Sequence, residues 1–193
     1  MVHSVAERGT MSRRKQMNSG GSAVKFKIGT KVIYPSHGVA QIVGRETRRI
    51  NDEDITYLVL SVPERGWGTT GNMTVSVPEA RAEDLGVRTA VSEEEAAEVL
   101  EVLAVTDARV PSNWSRRFKN HQEKLKSGDV YEHAEVVRNL AIRQRNASLS
   151  TAEQSMYANA RHVLISELAV SWRVDDTEAE ARVDAVLGLI PKD

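Results

Sequence analysis

The amino-acid sequence predicts a two-domain α+β protein, in which a small antiparallel β barrel is followed by a compact five-helix bundle. Two observations lead to this prediction. Between about residues 24 and 78, apolar residues recur with a period of two, the period of strands. After Val87 they recur every three or four residues, the period of helices. With 193 residues, 40% of them hydrophobic, the chain is long enough for two small packed domains.

The first domain is predicted from five short β segments separated by Gly, Pro, Asn and Asp. A barrel of about 55 residues with this spacing is typical of the SH3/Tudor-like type. We expect the domain to span residues 24–84, preceded over residues 1–23 by a disordered extension that is polar and lacks periodicity. The β segments are residues 24–29, 31–35, 39–44 with 45–50, 55–62 and 73–78.

The second domain, residues 85–193, is predicted from helix-start motifs and apolar stripes. Capping boxes of the pattern Ser-x-x-Glu begin at Ser92 and at Ser150. Two further helices are expected over about residues 113–126 and 129–145, and a last one near the C-terminus. Five helices joined by short links, each with one apolar stripe, favour a compact bundle.

Several classes of function are excluded by residue content and spacing. The absence of cysteine rules out disulfides, thiolate metal sites and a Cys nucleophile, and the five histidines show no metal-ligand spacing. Residues 66–71 match G-x-G-x-x-G, but a strand follows them where a dinucleotide site needs a helix, so we expect a hairpin loop. The sequence therefore predicts neither an enzyme nor a cofactor. It also shows no signal peptide or membrane-spanning run, which indicates a cytoplasmic protein.

The net charge of −1 hides a strong asymmetry along the chain. Residues 79–101 carry eight acidic side chains against two Arg, whereas residues 112–150 carry eight Lys or Arg against four acids. Such a basic block is the electrostatic footprint expected of a protein that binds an anionic partner. A merely solvated helix surface is the alternative.

The segment around Trp114 is the most informative part of the basic block. Asn113 is placed to cap a helix whose first turn holds Trp114, where free backbone amides and the positive dipole end suit a phosphate. Arg116 and Lys119 form a basic ridge beside it, and Phe118 lies one turn further on. On spacing alone, burial of Trp114 in the core is favoured over an exposed wedge flanked by phosphate contacts, and both interpretations stay open.

Short motifs in both halves of the chain resemble the CarD/CdnL family of transcription regulators. The first half also resembles the polymerase-binding module of transcription-repair coupling factors. The second half separates the two, because a coupling factor continues into a helicase motor and this chain has no Walker loop. The resemblance covers about residues 24–190. Its motifs are FKIG (26–29), VIYP (32–35), HGVA (37–40), YLVL (57–60), VSVP (75–78), PSNWSRRF (111–118), KLKSGD (124–129) and AEVVRNL (134–140).

The resemblance implies a regulator that bridges the β subunit of RNA polymerase and promoter DNA. The Tudor-like domain would bind the polymerase, and the helical domain would contact the upstream edge of the melted bubble, largely without reading sequence. A tryptophan wedged into the minor groove there would stabilise the open complex. The family implies a nucleoid-associated monomer that needs no cofactor. The residues carried over by position are Trp114, Arg116 and Lys119 for DNA, and Arg48, Ile50 and Ser76 for the polymerase.

Two departures from the family pattern concern these contacts. Ser76 stands where a basic polymerase-contacting residue is expected, and Gln154-Ser155 stand where a basic pair is common. The loop around Trp67 is also longer than expected. The alternative to a DNA-contacting regulator is a protein-interaction adaptor, with Trp114 in the core and the basic block facing an acidic protein.

Overall fold

The computed structural model describes residues 26–35, 37–63 and 71–188. The expected N-terminal extension over residues 1–23 lies outside the described residues, as does most of the loop that contains Trp67 and the G-x-G-x-x-G match. Within the described part, a β region is followed by five α-helices, so the fold is α+β as predicted. None of these helices is long and apolar enough to cross a membrane.

The β region is one antiparallel sheet of four strands in the order β1-β2-β3-β4. The strands follow each other along the chain, and a shift in register between Ile42 and Gly44 marks an irregularity in β2. Among the described residues, β1 and β4 form the two edges and do not pair with each other, so backbone hydrogen bonds do not close a barrel. The strands are β1 (Lys31–Tyr34), β2 (Gly38–Ile50), β3 (Glu53–Pro63) and β4 (Asn72–Pro78).

The predicted first strand, residues 24–29, is wrong in its described part. Phe26 lies at a bend, and the residues after it form a turn in which Gly29 has φ 89°. The turn is tied to β2 by hydrogen bonds from Gly29 N to Ile42 O at 2.7 Å and from Ile42 N to Thr30 O at 3.0 Å. The two apolar residues of this alternation do not share a face as they would in a strand, because Phe26 is buried in the sheet core while Ile28 points to solvent.

The five helices begin and end close to where the sequence places them. Both Ser-x-x-Glu capping boxes are formed, at Ser92 and at Ser150, and Gly128 ends the second helix in the left-handed conformation. A short 3-10 helix, Glu79–Arg81, precedes the bundle. The helices are α1 (Glu93–Ala104), α2 (Trp114–Ser127), α3 (Val130–Asn146), α4 (Thr151–Trp172) and α5 (Asp176–Leu187).

Two hydrophobic clusters form the interior. The sheet cluster runs from Phe26 to Val87 and the helical cluster from Ala96 to Leu187. The predicted stripes of α1, α3, α4 and α5 supply the helical cluster, since they place apolar side chains on one face of each of these helices. Its fully buried members include Ala96, Val99, Ala134, Val137, Leu140, Ala141, Leu164, Leu168, Ala179 and Val183.

Helix α4 packs directly against the start of β2. Gly38 has φ 80°, and a Cβ at this position would lie 2.9 Å from Ser166 Oγ and 3.5 Å from Val163 Cα. The conformation and the close approach both require glycine, because any side chain would be strained and would push the strand away from the helix.

Arg88 fastens the sheet to the bundle. Its backbone pairs with Ile33 of β1, and its side chain donates to both carboxylate oxygens of Glu167 on α4, with 2.9 Å from Nη2 to Oε2. The same Nη2 donates to Gly128 O at 3.1 Å, and Val91 N donates to Glu167 Oε1 at 3.3 Å. Glu167 is only 1% exposed, so these donors take the place of water around its carboxylate.

Substitution of Arg88 by Met should destabilise the fold, because it leaves the Glu167 carboxylate buried without its cation. We expect a loss of about 3 kcal/mol in the free energy of unfolding, the low end of the range for broken buried pairs, since Arg88 is itself partly exposed. Urea titration followed by circular dichroism measures it. The control is Arg49→Met, which removes an exposed pair with Asp52 and should change stability by less than about 1 kcal/mol. Equal effects of the two variants would contradict the prediction.

Candidate nucleic-acid interface

Trp114 is the first residue of α2 and lies on the surface, with 44% of its area exposed. Asn113 caps the helix through a hydrogen bond from Arg116 N to Asn113 Oδ1 at 3.0 Å. The burial that spacing favours for Trp114 is therefore wrong. The buried residues of α2 are Arg117 and His121, so the helix turns a different side toward the bundle.

The indole of Trp114 is nevertheless held in place on two sides. Its ring stacks on Phe118, with ring centroids 5.2 Å apart and an angle of 17° between the planes. Its Nε1 donates a hydrogen bond to Ser150 Oγ, at the start of α4, over 3.3 Å. A large apolar side chain is thus both exposed and oriented.

A buried ion pair lies beneath this surface and joins α2 to α4. Arg117 is 3% exposed and Glu153 is 1% exposed. The guanidinium donates to Glu153 Oε1 from Nε at 3.1 Å and from Nη2 at 2.9 Å. Its Nη1 donates to the carbonyl oxygens of Pro111 and Ser112 at 3.1 and 3.0 Å, so the chain leading into α2 is fixed by the same side chain.

Glu153 also belongs to the capping box of α4. Its Oε2 accepts hydrogen bonds from Ser150 N at 3.1 Å and from Ser150 Oγ at 3.0 Å, and Arg143 Nε lies 3.3 Å from its Oε1. Burial alone would raise the pKa of Glu153, but the hydrogen bonds from Ser150 and Arg117 outweigh it and hold the pKa below its usual range. The carboxylate is therefore ionised and fully engaged at neutral pH.

Arg116 and Lys119 lie together on the solvent side of α2. Both line a surface pocket of about 260 Å³, together with Pro111, Asn120 and Glu123. Lys119 Nζ is 3.9 Å from Glu123 Oε1, a distance typical of a weak surface pair that solvent screens. The structure thus places both predicted phosphate contacts within one turn or two of Trp114.

The basic block exposes fewer positive charges than its composition suggests. Arg117 and Arg138 are buried, Lys124 is paired with Glu135, and Arg143 is paired with Glu153. Half of the eight basic side chains therefore serve the bundle itself. The exposed members are Arg116, Lys119, Lys126 and Arg145.

The second set of predicted contacts lies on the sheet, where β2 and β3 extend as a hairpin. Arg48 Nη2 donates to Ser76 Oγ at 3.2 Å and to Glu46 Oε2 at 2.7 Å, and its guanidinium lies 5.1 Å from the centre of the Tyr57 ring. Arg48 and Ser76 are thus in direct contact across the sheet. Ile50 is 41% exposed, two residues along β2 and so on the same face.

Two models of known families match this chain. The model of the CarD C-terminal domain matches residues 98–184, and the model of the CarD-like/TRCF RID domain matches residues 26–91. The chain belongs to the CarD family. Both halves of the CarD architecture are therefore present, in the order that the sequence motifs indicate.

Among relatives of this CarD-family protein is YdeB of Bacillus subtilis (strain 168), whose name describes it as a candidate transcription factor. It is 29% identical over 145 residues, which are 75% of this chain and 91% of YdeB. The solution NMR structure of the 72-residue N-terminal domain of Myxococcus xanthus CarD matches 38% of this chain and 91% of its own, at 23% identity. Its TM-score of 0.26 is too low for that likeness to support the fold.

Sequence reasoning named Phe118 beside Trp114 but missed Ser150, the other residue that holds the indole. Ser150 is identifiable from the sequence only as a helix cap, because its contact with Trp114 joins residues 36 positions apart. Arg117 is counted there among the surface charges, although it is buried. Within the described residues, no group of three or more His, Asp or Glu side chains is placed to hold a metal ion.

His121 is a second buried polar residue of α2, and neither of its ring nitrogens has a hydrogen-bond partner among the described residues. Burial, together with the charges of Arg117 and Lys124, lowers its pKa to about 4 against the opposing effect of Glu153. The ring is therefore neutral in the folded protein at neutral pH.

Stability should fall as the pH decreases from about 6.5 toward 4, because the unfolded chain binds a proton at His121 there and the folded protein does not. The contribution of one such group has a slope of at most about 1.4 kcal/mol per pH unit. Urea unfolding at several pH values measures it, and His121→Met should flatten the curve in this window. Because carboxylates also titrate as the pH approaches 4, the relevant quantity is the difference in unfolding free energy between the native protein and His121→Met at each pH. Parallel curves would contradict the prediction.

Proposed function

We propose that this CarD-family protein bridges the β subunit of RNA polymerase and promoter DNA, and that it stabilises the open complex by inserting Trp114 at the upstream edge of the melted bubble. Family membership supports the coarse role of transcription regulation. The finer proposal depends on the surface around Trp114. We further propose that the protein is a monomer of the bacterial cytoplasm and acts at the nucleoid.

The observation that carries the proposal is the exposure of Trp114 in a fixed orientation. A tryptophan that stacks on Phe118 and bonds Ser150, yet remains 44% exposed, leaves a large apolar surface to solvent. Proteins that widen or kink the minor groove insert apolar side chains of this kind between base steps. The adaptor alternative depends in part on a buried Trp114, so its exposure removes that support.

The surroundings of Trp114 suit a phosphate backbone. Arg116 and Lys119 are exposed cations beside it, and the first turn of α2 presents the positive end of the helix dipole. Contacts of this type neutralise phosphates and position the protein without reading bases. Binding to DNA is therefore expected to be salt-dependent and largely independent of sequence.

The exposed face of the hairpin suits a protein partner. Arg48 presents a guanidinium that Glu46, Ser76 and Tyr57 hold in one place, and Ile50 adds an exposed apolar side chain beside it. Exposed cations fixed next to apolar groups are typical anchors of interfaces. We assign this face to the polymerase β subunit, with Ser76 acting by orienting Arg48.

Such a protein needs no catalytic residue. A ligand shifts an equilibrium only by the difference between its affinities for the two states. Because a wedge fits distorted DNA better than an intact duplex, the bound protein would favour the open complex.

Trp114→Ala should reduce the lifetime of open promoter complexes to the value measured without the protein. The fold should persist, with a loss of unfolding free energy below about 2 kcal/mol, because the residue lies on the surface. Filter binding or fluorescence decay of preformed complexes measures the lifetime of the open complex. Thermal unfolding measures the stability of the variant.

The control for this variant is Leu85→Ala, which removes an equally exposed apolar side chain, at 43%, outside the helical bundle. It should leave the lifetime unchanged. Full activity of Trp114→Ala would overturn the wedge, and salt-insensitive binding to bubble-containing duplex would overturn the DNA contact itself.

Arg48→Glu should weaken binding to the polymerase β subunit by at least about tenfold, because it places a negative charge where the partner faces a positive one. The measurement is the affinity of the isolated protein for the β subunit by calorimetry. Arg173→Glu reverses an exposed charge on the bundle and should leave the affinity unchanged. Equal affinities of the native protein and Arg48→Glu would reject the assignment of this face.

A further inference from the structure

The hydroxyl of Ser150 has all of its hydrogen-bonding capacity in use. Its Oγ lies 3.0 Å from Glu153 Oε2, to which it donates its proton. It accepts from Glu153 N at 3.3 Å and from Trp114 Nε1 at 3.3 Å. A serine hydroxyl has one proton and two lone pairs, so these three contacts complete it.

Ser150 is itself fixed by its partners. Glu153 holds it from within α4, and Arg117 of α2 holds Glu153 in turn. Arg117 lies three residues after Trp114 on the same helix. The contacts therefore form a closed path from Trp114 through Ser150, Glu153 and Arg117 back to the helix that carries Trp114.

The other capping serine provides a contrast. Ser92 accepts from Glu95 N at 3.2 Å, and Glu95 Oε2 accepts from Ser92 N at 2.9 Å, which is the same capping arrangement. Capping alone thus explains a serine at such a position. It does not explain why Ser150 also accepts a hydrogen bond from the exposed indole of Trp114.

We propose that Ser150 is a positioning residue that orients the indole of Trp114 for insertion into DNA. This inference rests on the proposed function of Trp114. Because the indole has a single donor and Ser150 takes it, Trp114 offers DNA an apolar ring and no hydrogen-bond donor. Without Ser150 the ring could rotate about its side-chain bonds, and part of the binding energy would be spent on ordering it.

The experiment compares Ser150→Ala, Ser150→Thr and the matched capping control Ser92→Ala in the full-length protein. In ¹⁵N-labelled protein, the indole N–H resonance of Trp114 is assigned by its absence in Trp114→Phe. Ser150→Ala should shift this resonance and speed its hydrogen exchange, whereas Ser150→Thr and Ser92→Ala should leave both near the native values. A purely structural cap would not produce that pattern.

The functional measurement is the lifetime of open complexes with the same variants. Ser150→Ala should shorten it about fivefold, the equivalent of one neutral hydrogen bond, and Ser150→Thr should restore it. Ser92→Ala should leave it unchanged although it removes an equivalent cap. In Trp114→Phe, which lacks the indole N–H, a further Ser150→Ala change should have no additional effect.

Two outcomes separate this inference from the proposed function. If Trp114→Ala abolishes stabilisation but Ser150→Ala behaves as Ser92→Ala does, Ser150 is only a helix cap and the positioning role is overturned. If Trp114→Ala itself has no effect, the wedge is overturned, whereas an indole resonance that still responds to Ser150→Ala would uphold the structural contact.

Discussion

The ion pair between Arg117 and Glu153 is the contact on which the Trp114 surface depends. Both groups are almost fully buried, and breaking such a pair from one side leaves a charge in the interior at a cost of about 3–5 kcal/mol. Because Glu153 also closes the capping box of α4, the pair fixes where two helices begin. The contact between α2 and α4 therefore also sets the positions of the exposed indole and the adjacent cations.

The same helix α4 carries a second buried carboxylate, Glu167, which binds Arg88 beside the sheet. The two carboxylates have different structural roles. Glu153 organises the end that faces the proposed DNA contact, and Glu167 holds the sheet against the bundle, where Gly38 allows the close approach of β2. The four-stranded sheet and the five helices are thus joined by specific polar contacts in addition to apolar packing.

The sequence predicts what depends on local residues and less of what depends on distant ones. Capping boxes at Ser92 and Ser150, the stop at Gly128 and the helical stripes involve neighbours within one or two turns, and they are confirmed. The expected strand over residues 24–29 is wrong in its described part, residues 26–29, because the alternation of apolar residues does not indicate the turn at Gly29. Spacing favours burial of Trp114 because periodicity shows that a helix has an apolar face but not which side packs. The contact with Ser150 depends on how α2 meets α4, and no local pattern contains it.

Helix α4 also acts as a ruler. Glu153 and Glu167 are fourteen residues apart, close to four turns, so they face nearly the same side at a separation of about 21 Å along the axis. One end of this rod is fastened to the helix that carries Trp114 and the other to the sheet. The number of residues between Glu153 and Glu167 therefore sets the distance between these two contacts. Adding one residue between the two carboxylates would turn one end by about 100° relative to the other, so the contacts of Glu153 and Glu167 would not both form.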